Sequence, residues 1–145
     1  MKRTKRLQPL HAMVGETERH CALRLADIER RISDGEQRFQ ELVRYRIEYD
    51  QAFQARARAG AAMRGLREQQ IFIARLSEAV RAQQALLEQL RTECAGARAQ
   101  WCAAATRKQA VGKVIEQAKS EEVMKEEKRQ QRETDELASQ RRVRR

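Results

Sequence analysis

A seven-residue hydrophobic repeat constrains this chain more than any other feature. Leu7, Val14, Cys21, Ile28, Gly35, Leu42 and Tyr49 recur every seven residues, here called d positions. His11, Glu18, Leu25, Ile32, Phe39, Arg46 and Phe53 stand between them as a positions. Ten of these fourteen are apolar, the exceptions being His11, Glu18, Gly35 and Arg46. A stripe this narrow and this long requires a partner helix, because a single helix cannot bury its own seam. A second register supplies one. Ile73, Val80, Leu87, Cys94, Trp101, Lys108 and Ile115 are its a positions, and Leu76, Gln83, Leu90, Ala97, Ala104, Val111 and Ala118 its d positions. Past Ala118 the same positions read Glu122, Lys125, Arg129, Arg132 and Glu136, and the seam stops.

Between the registers lies Arg56-Ala57-Arg58-Ala59-Gly60-Ala61-Ala62-Met63-Arg64-Gly65, bracketed by two glycines and crossed by no periodic large apolar residue. A reversal is expected there, with a tight loop and a bent helix both open, since Gly60 reaches a left-handed conformation at low cost. Arg38 and Gln83, Leu42 and Ala79, Tyr45 and Leu76, and Tyr49 and Phe72 are mirror images about the Gly60–Ala61 bond. A fold at that point makes them rungs of one ladder and sets Leu7 opposite Val114, close to where the second repeat fades. The expected fold is all-α, a long two-helix antiparallel coiled-coil hairpin about 75 Å long at about 1.5 Å per residue. Pro9 suits a first helical turn, so helix one is expected over about 7–57, the turn over 58–65 and helix two over 66–138. Helix two is expected to be unpaired after about 118, its overhang continuing as a solvated helix or fraying, with a basic tail over 139–145 whose last five residues, Arg141-Arg142-Val143-Arg144-Arg145, are disordered when unbound.

A hairpin buries a seam and little else, so an enclosed active-site cavity is not expected. The two histidines, His11 and His20, lie nine residues apart with no third ligand in spacing. Val111-Gly112-Lys113-Val114 lacks the upstream glycine and the Ser/Thr of a phosphate loop. Three cysteines, Cys21, Cys94 and Cys102, show no zinc spacing and read as reduced thiols. No catalytic residue, metal or cofactor is expected, and the chain reads as a non-enzyme. No apolar run reaches the roughly 18 residues that span a bilayer. Lys2-Arg3-Thr4-Lys5-Arg6 leads into no hydrophobic region, so a signal peptide is not expected and a cytoplasmic location is.

Two features rise above this background. Five of the six aromatic residues, Phe39, Tyr45, Tyr49, Phe53 and Phe72, fall between 39 and 72. Arg38, Tyr45, Phe72 and Ala79 are g positions, and in an antiparallel pair the g positions of both helices share one edge. Tyr45 and Phe72 either broaden the seam or stand exposed beside Arg38 as a binding hot spot, and the heptad logic leaves both readings open. The second feature is charge. The formal net charge is +10, and Lys2, Arg3, Lys5 and Arg6 are expected to meet Arg141 and Arg142 at the far end of the hairpin, where an acidic partner is favoured.

Leu42-Val43-Arg44-Tyr45-Arg46-Ile47-Glu48-Tyr49, then Gly60, then Gln69-Gln70-Ile71-Phe72-Ile73-Ala74-Arg75-Leu76-Ser77-Glu78-Ala79-Val80, resemble the FliJ family of flagellar export proteins. So do Trp101 followed by Arg107-Lys108 and the tail Asp135-Glu136-Leu137-Ala138. The resemblance implies a component of the flagellar type III export apparatus, peripheral to the cytoplasmic face of the inner membrane. It implies a stalk-like coiled coil that inserts into the ring of the export ATPase FliI, promotes its assembly, links it to the export gate protein FlhA and serves export chaperones. By the family pattern the gate-facing surface carries over to Leu42, Tyr45, Tyr49, Phe72, Leu76 and Ala79, with Arg38 and Gln83 as polar flanks. The resemblance also implies that the ATPase ring takes the end where the termini lie, at Lys2, Arg3, Lys5, Arg6, Arg141 and Arg142. The rival class is a basic coiled coil binding nucleic acid non-specifically, supported by the +10 charge. Bases interleaved with acids, rather than gathered ahead of a zipper, count against it, so no nucleic-acid partner is expected.

Overall fold

Proline apart, this composition contains few residues that interrupt a helix, and in the computed structural model nearly all of the chain is helical. Residues 2–144 are described, with the side chain of Lys2 excepted. Helix α1 runs Lys2–Arg58 and helix α2 runs Met63–Val143. They pack against each other as an all-α hairpin with no strand among the described residues.

The turn is a tight loop, and its chemistry is that of a glycine C-cap. The Ala61 amide donates to the Arg56 carbonyl at 3.1 Å and the Gly60 amide to the Ala57 carbonyl at 3.3 Å. Those are the two bonds of a Schellman motif, which satisfies carbonyls that the end of α1 leaves without partners. The motif needs a left-handed residue at Gly60, whose φ is 78°. Arg56 and Arg58 in the last turn of α1 add favourable charge at the negative end of the helix dipole.

Two packed units arise along the pair. One joins the stretch up to Cys21 with the stretch from Gln100 onward, and the other is Ala22–Ala99. Within Ala22–Ala99, Ile28, Cys94 and Ala97 form the most enclosed part of the seam, with Leu25 and Ile32 packed against it. In the two registers, up to Ala118, every a and d position is buried or half-buried except Tyr49. Across this unit Arg91 pairs with Glu36 at 3.3 Å and Arg98 with Glu29 at 3.4 Å. Both pairs are exposed, so each contributes little beyond orientation.

Gly35 explains one gap in the apolar pattern. A Cβ placed there would lie 2.9 Å from Leu87 Cδ2 and 3.3 Å from Gln83 Nε2. Gln83 Nε2 donates to the Gly35 carbonyl at 3.1 Å. The glycine is therefore a point of close helix approach, with the buried Leu87 filling the space of its missing side chain. Gly35→Leu should lower stability by about 1 to 3 kcal/mol through overpacking, despite the better helix propensity of leucine. Urea unfolding followed by circular dichroism checks this, and an unchanged midpoint would show that Leu87 moves aside freely.

In the other unit the seam carries a polar layer. Trp101 Nε1–H donates to Glu18 Oε1 at 3.0 Å, and Lys108 Nζ stands 3.8 Å from Glu18 Oε2. The a-position exceptions Glu18 and Lys108 thus answer each other across the pair. A partnered polar layer of this kind favours one helix register over its neighbours.

Four boundaries differ from the sequence expectation, the first being that α2 begins at Met63 rather than 66, which shortens the turn to 59–62. Helix α1 begins at Lys2, upstream of the expected residue 7, and carries Pro9 inside it. The Pro9 ring removes the hydrogen bond that its amide would give to Lys5, yet the upstream turns are held from outside. Glu122 Oε1 accepts from the Thr4 amide at 3.2 Å, so a carboxylate of α2 satisfies one of the free amides at the start of α1. Arg3 pairs with Glu121 at 3.2 Å beside it. Pairing therefore reaches Glu122 rather than stopping near 118. Helix α2 continues to Val143, through most of the tail expected to be disordered; Arg145 lies outside the described residues. Residues 123–144 are exposed throughout. Their helix is supported by local pairs, Arg129 with Glu126 at 2.7 Å and with Glu133 at 3.0 Å. The Arg129 guanidinium holds the Glu126 carboxyl below its ordinary pKa, and the carboxylate in turn raises the arginine.

Candidate functional site

The eight residues expected to face the gate all lie within Ala22–Ala99. Tyr49 and Phe72, one of the expected rungs, meet edge to face with ring centroids 4.8 Å apart. Such a contact adds about 0.5 to 1.5 kcal/mol beyond area burial. Tyr45 carries the Arg44 guanidinium 5.8 Å from its ring centroid. Leu42, Leu76 and Ala79 are half-buried in or beside the seam, and Arg38 is exposed. Gln83 is held to the Gly35 carbonyl, which makes it a structural clamp as well as a flank.

Exposure bears on the two readings of the aromatic edge. Tyr45 is 44% exposed, Tyr49 41% and Phe72 42%. These rings lean on the seam without being sealed by it. A seam position that remains this open is unusual here, since every other a and d position of the two registers is at least half-covered. Sequence reasoning missed one member of the edge. Leu86 stands at the g position one heptad past Ala79 and is exposed. The seven-residue step from Phe72 through Ala79 was the signal that could have found it.

The basic residues of the two termini are not brought together. Arg3 is engaged with Glu121, and Arg141 lies twenty residues further along the unbroken helix α2. At about 1.5 Å per residue that separation is about 30 Å. Because α2 is continuous to Val143, it carries Arg141 and Arg142 away from the bases at the start of α1. Lys5 and Arg6 are exposed, as are Arg141 and Arg142, and the side chain of Lys2 lies outside the described residues.

Among the described residues no group of three or more His, Cys, Asp or Glu side chains could hold a metal ion. The three cysteines are free thiols. No helix of the described residues is long and apolar enough to cross a membrane. The site is a surface edge whose chemistry is contact: aromatic faces, guanidinium forks and half-covered leucines.

A family model described as Flagellar FliJ protein matches residues 2–145. No curated protein and no solved structure matches the chain. With essentially its whole length matched and its two helices paired as a hairpin, the chain belongs to the FliJ family and is a component of the flagellar type III export apparatus.

Proposed function

We propose that this chain is the stalk-like coiled coil that enters the ring of the export ATPase FliI, promotes ring assembly, and links the ring to the gate protein FlhA and to export chaperones. It acts at the cytoplasmic face of the inner membrane, without cofactor or catalytic residue of its own. One observation carries the gate half of this reading. Three aromatic residues, Tyr45, Tyr49 and Phe72, stay more than 40% exposed in a pair of helices that otherwise covers its seam. Aromatic groups left open next to arginine are what a partner surface uses for affinity. The gate-facing set is Arg38, Leu42, Tyr45, Tyr49, Phe72, Leu76, Ala79 and Gln83. The ATPase-facing set is Lys2, Arg3, Lys5 and Arg6, with Arg141 and Arg142 on the helical extension of α2.

Purified chain added to FliI should raise ATP hydrolysis and the fraction of ATPase in rings, both measured at fixed nucleotide. A variant ending at Glu122 keeps the amide contact to Thr4 and the aromatic edge, so it should lose the stimulation while retaining gate binding. Absence of stimulation by the full-length chain would sink the stalk reading.

A further inference from the structure

The turn between the helices concentrates arginine between its nearest acids in the chain, Asp50 and Glu68. From Gln51 to Arg67 the chain holds four arginines, Arg56, Arg58, Arg64 and Arg67, and no acidic residue. All four are exposed. Elsewhere in this unit arginines answer acids across the helix pair, as Arg91 does Glu36 and Arg98 does Glu29. Among the described residues none of the four turn arginines forms an ion pair. The start of α2 adds to the same field. Its first turn has no acidic residue, so the positive end of its dipole is uncompensated where Arg64 stands.

This cap is continuous with the aromatic edge. Arg56 reaches over Gly65, where a Cβ would lie 3.8 Å from Arg56 Nη2. Arg56, Gly65, Glu68 and Gln69 line a surface cleft of about 370 Å³ together with Tyr49 and Phe72.

We infer that the four-arginine turn docks against an acidic protein surface, continuous with the surface that covers Tyr45, Tyr49 and Phe72. The inference rests on the proposed gate contact and names the chemistry of its outer part: a partner presenting carboxylates to the turn. Composition favours protein over anionic lipid. Ala22–Ala99 contains no lysine, so every side-chain cation there is an arginine. Arginine with Tyr, Phe and Met is the makeup of protein interfaces, which are poor in lysine. Met63, 78% exposed, completes that set at the turn. Membrane-surface helices instead lay a broad apolar face in the bilayer plane, and here the apolar faces of α1 and α2 are turned toward each other.

The test is binding of the full-length chain to purified FlhA in nanodiscs of neutral lipid, with vesicles rich in phosphatidylglycerol as a separate arm. The double substitution Arg58→Glu/Arg64→Glu should slow association with FlhA on the order of tenfold at low salt and leave dissociation nearly unchanged. The difference should shrink as salt rises. Arg58→Lys/Arg64→Lys keeps the charge and should retain most of the association rate, which separates charge from misfolding. Wild-type association that is insensitive to the reversal overturns this inference alone. Binding of the wild type to the anionic vesicles, lost on reversal while FlhA binding persists, assigns the cap to lipid and also overturns it. No wild-type binding to FlhA removes the gate reading together with the inference.

Discussion

Ile28→Ala should destabilise the fold by about 2 to 4 kcal/mol, the largest single effect expected from one side chain of the seam. Ile28 is 4% exposed and packs with Cys94 at 9% and Ala97 at 3%. Its buried neighbours across the pair, Cys94 and Ala97, are small, and Leu25 and Ile32 beside it are already committed to the same seam. The loss is therefore transfer free energy plus cavity, rather than transfer alone. A two-helix pair has little other core to draw on, and a change of this size shifts the folded-to-unfolded ratio by a factor of about 30 or more. Leu23→Ala is the matched control. Leu23 is 70% exposed on the outer face of the same helix, and its removal should cost under about 0.5 kcal/mol. Urea titration of both variants by circular dichroism measures the difference. Equal midpoints would mean that the seam around Ile28 does not organise the pair.

The seam itself was legible because hydrophobic periodicity is a property of the residues alone. Val14, Ile28, Val80, Leu87, Leu90 and Ile115 are buried where the repeat sets them, and Gly60 turns the chain where the mirror pattern requires. What remained hidden depended on partners distant in sequence. Pro9 marks a helix start only if nothing holds the residues before it, and Glu122 holds them from more than a hundred residues away. Gly35 reads as a flaw in the repeat until Leu87 is seen against it. Glu18 and Lys108 read as two polar lapses, and become one layer only when Trp101 joins them. The aromatic edge stood between these cases. Heptad positions located Tyr45 and Phe72 on one edge, but exposure depends on how closely the helices approach, which the pattern does not state. The turn arginines were visible as residues, yet their lack of partners is a fact of three-dimensional arrangement.

Tyr45→Ala and Phe72→Ala should each weaken binding to the gate protein by about 2 kcal/mol or more, roughly thirtyfold in Kd. Their effects on folding should differ, and that difference is what makes the pair informative. Tyr45 has the Arg44 guanidinium of its own helix over its ring and, among the described residues, no ring pair across the helices, so its removal should leave helicity and melting nearly unchanged. Phe72 meets Tyr49 across the pair, so its removal should also cost about 0.5 to 1.5 kcal/mol of stability. Binding lost by Tyr45→Ala at unchanged stability can only come from the partner interface. Binding lost by Phe72→Ala mixes two causes, and Tyr49→Ala separates them: the double variant Tyr49→Ala/Phe72→Ala measures the coupling between the rings in folding and again in binding. If the coupling is the same in both, the ring pair shapes the edge without contacting the partner, and Tyr45 is the anchor. If the coupling vanishes in binding, both rings are gripped separately by the partner. Should Tyr45→Ala lower the melting temperature substantially and leave gate binding intact, the edge is only a widened seam, because a ring 44% exposed would then have spent its contact on folding rather than on recognition.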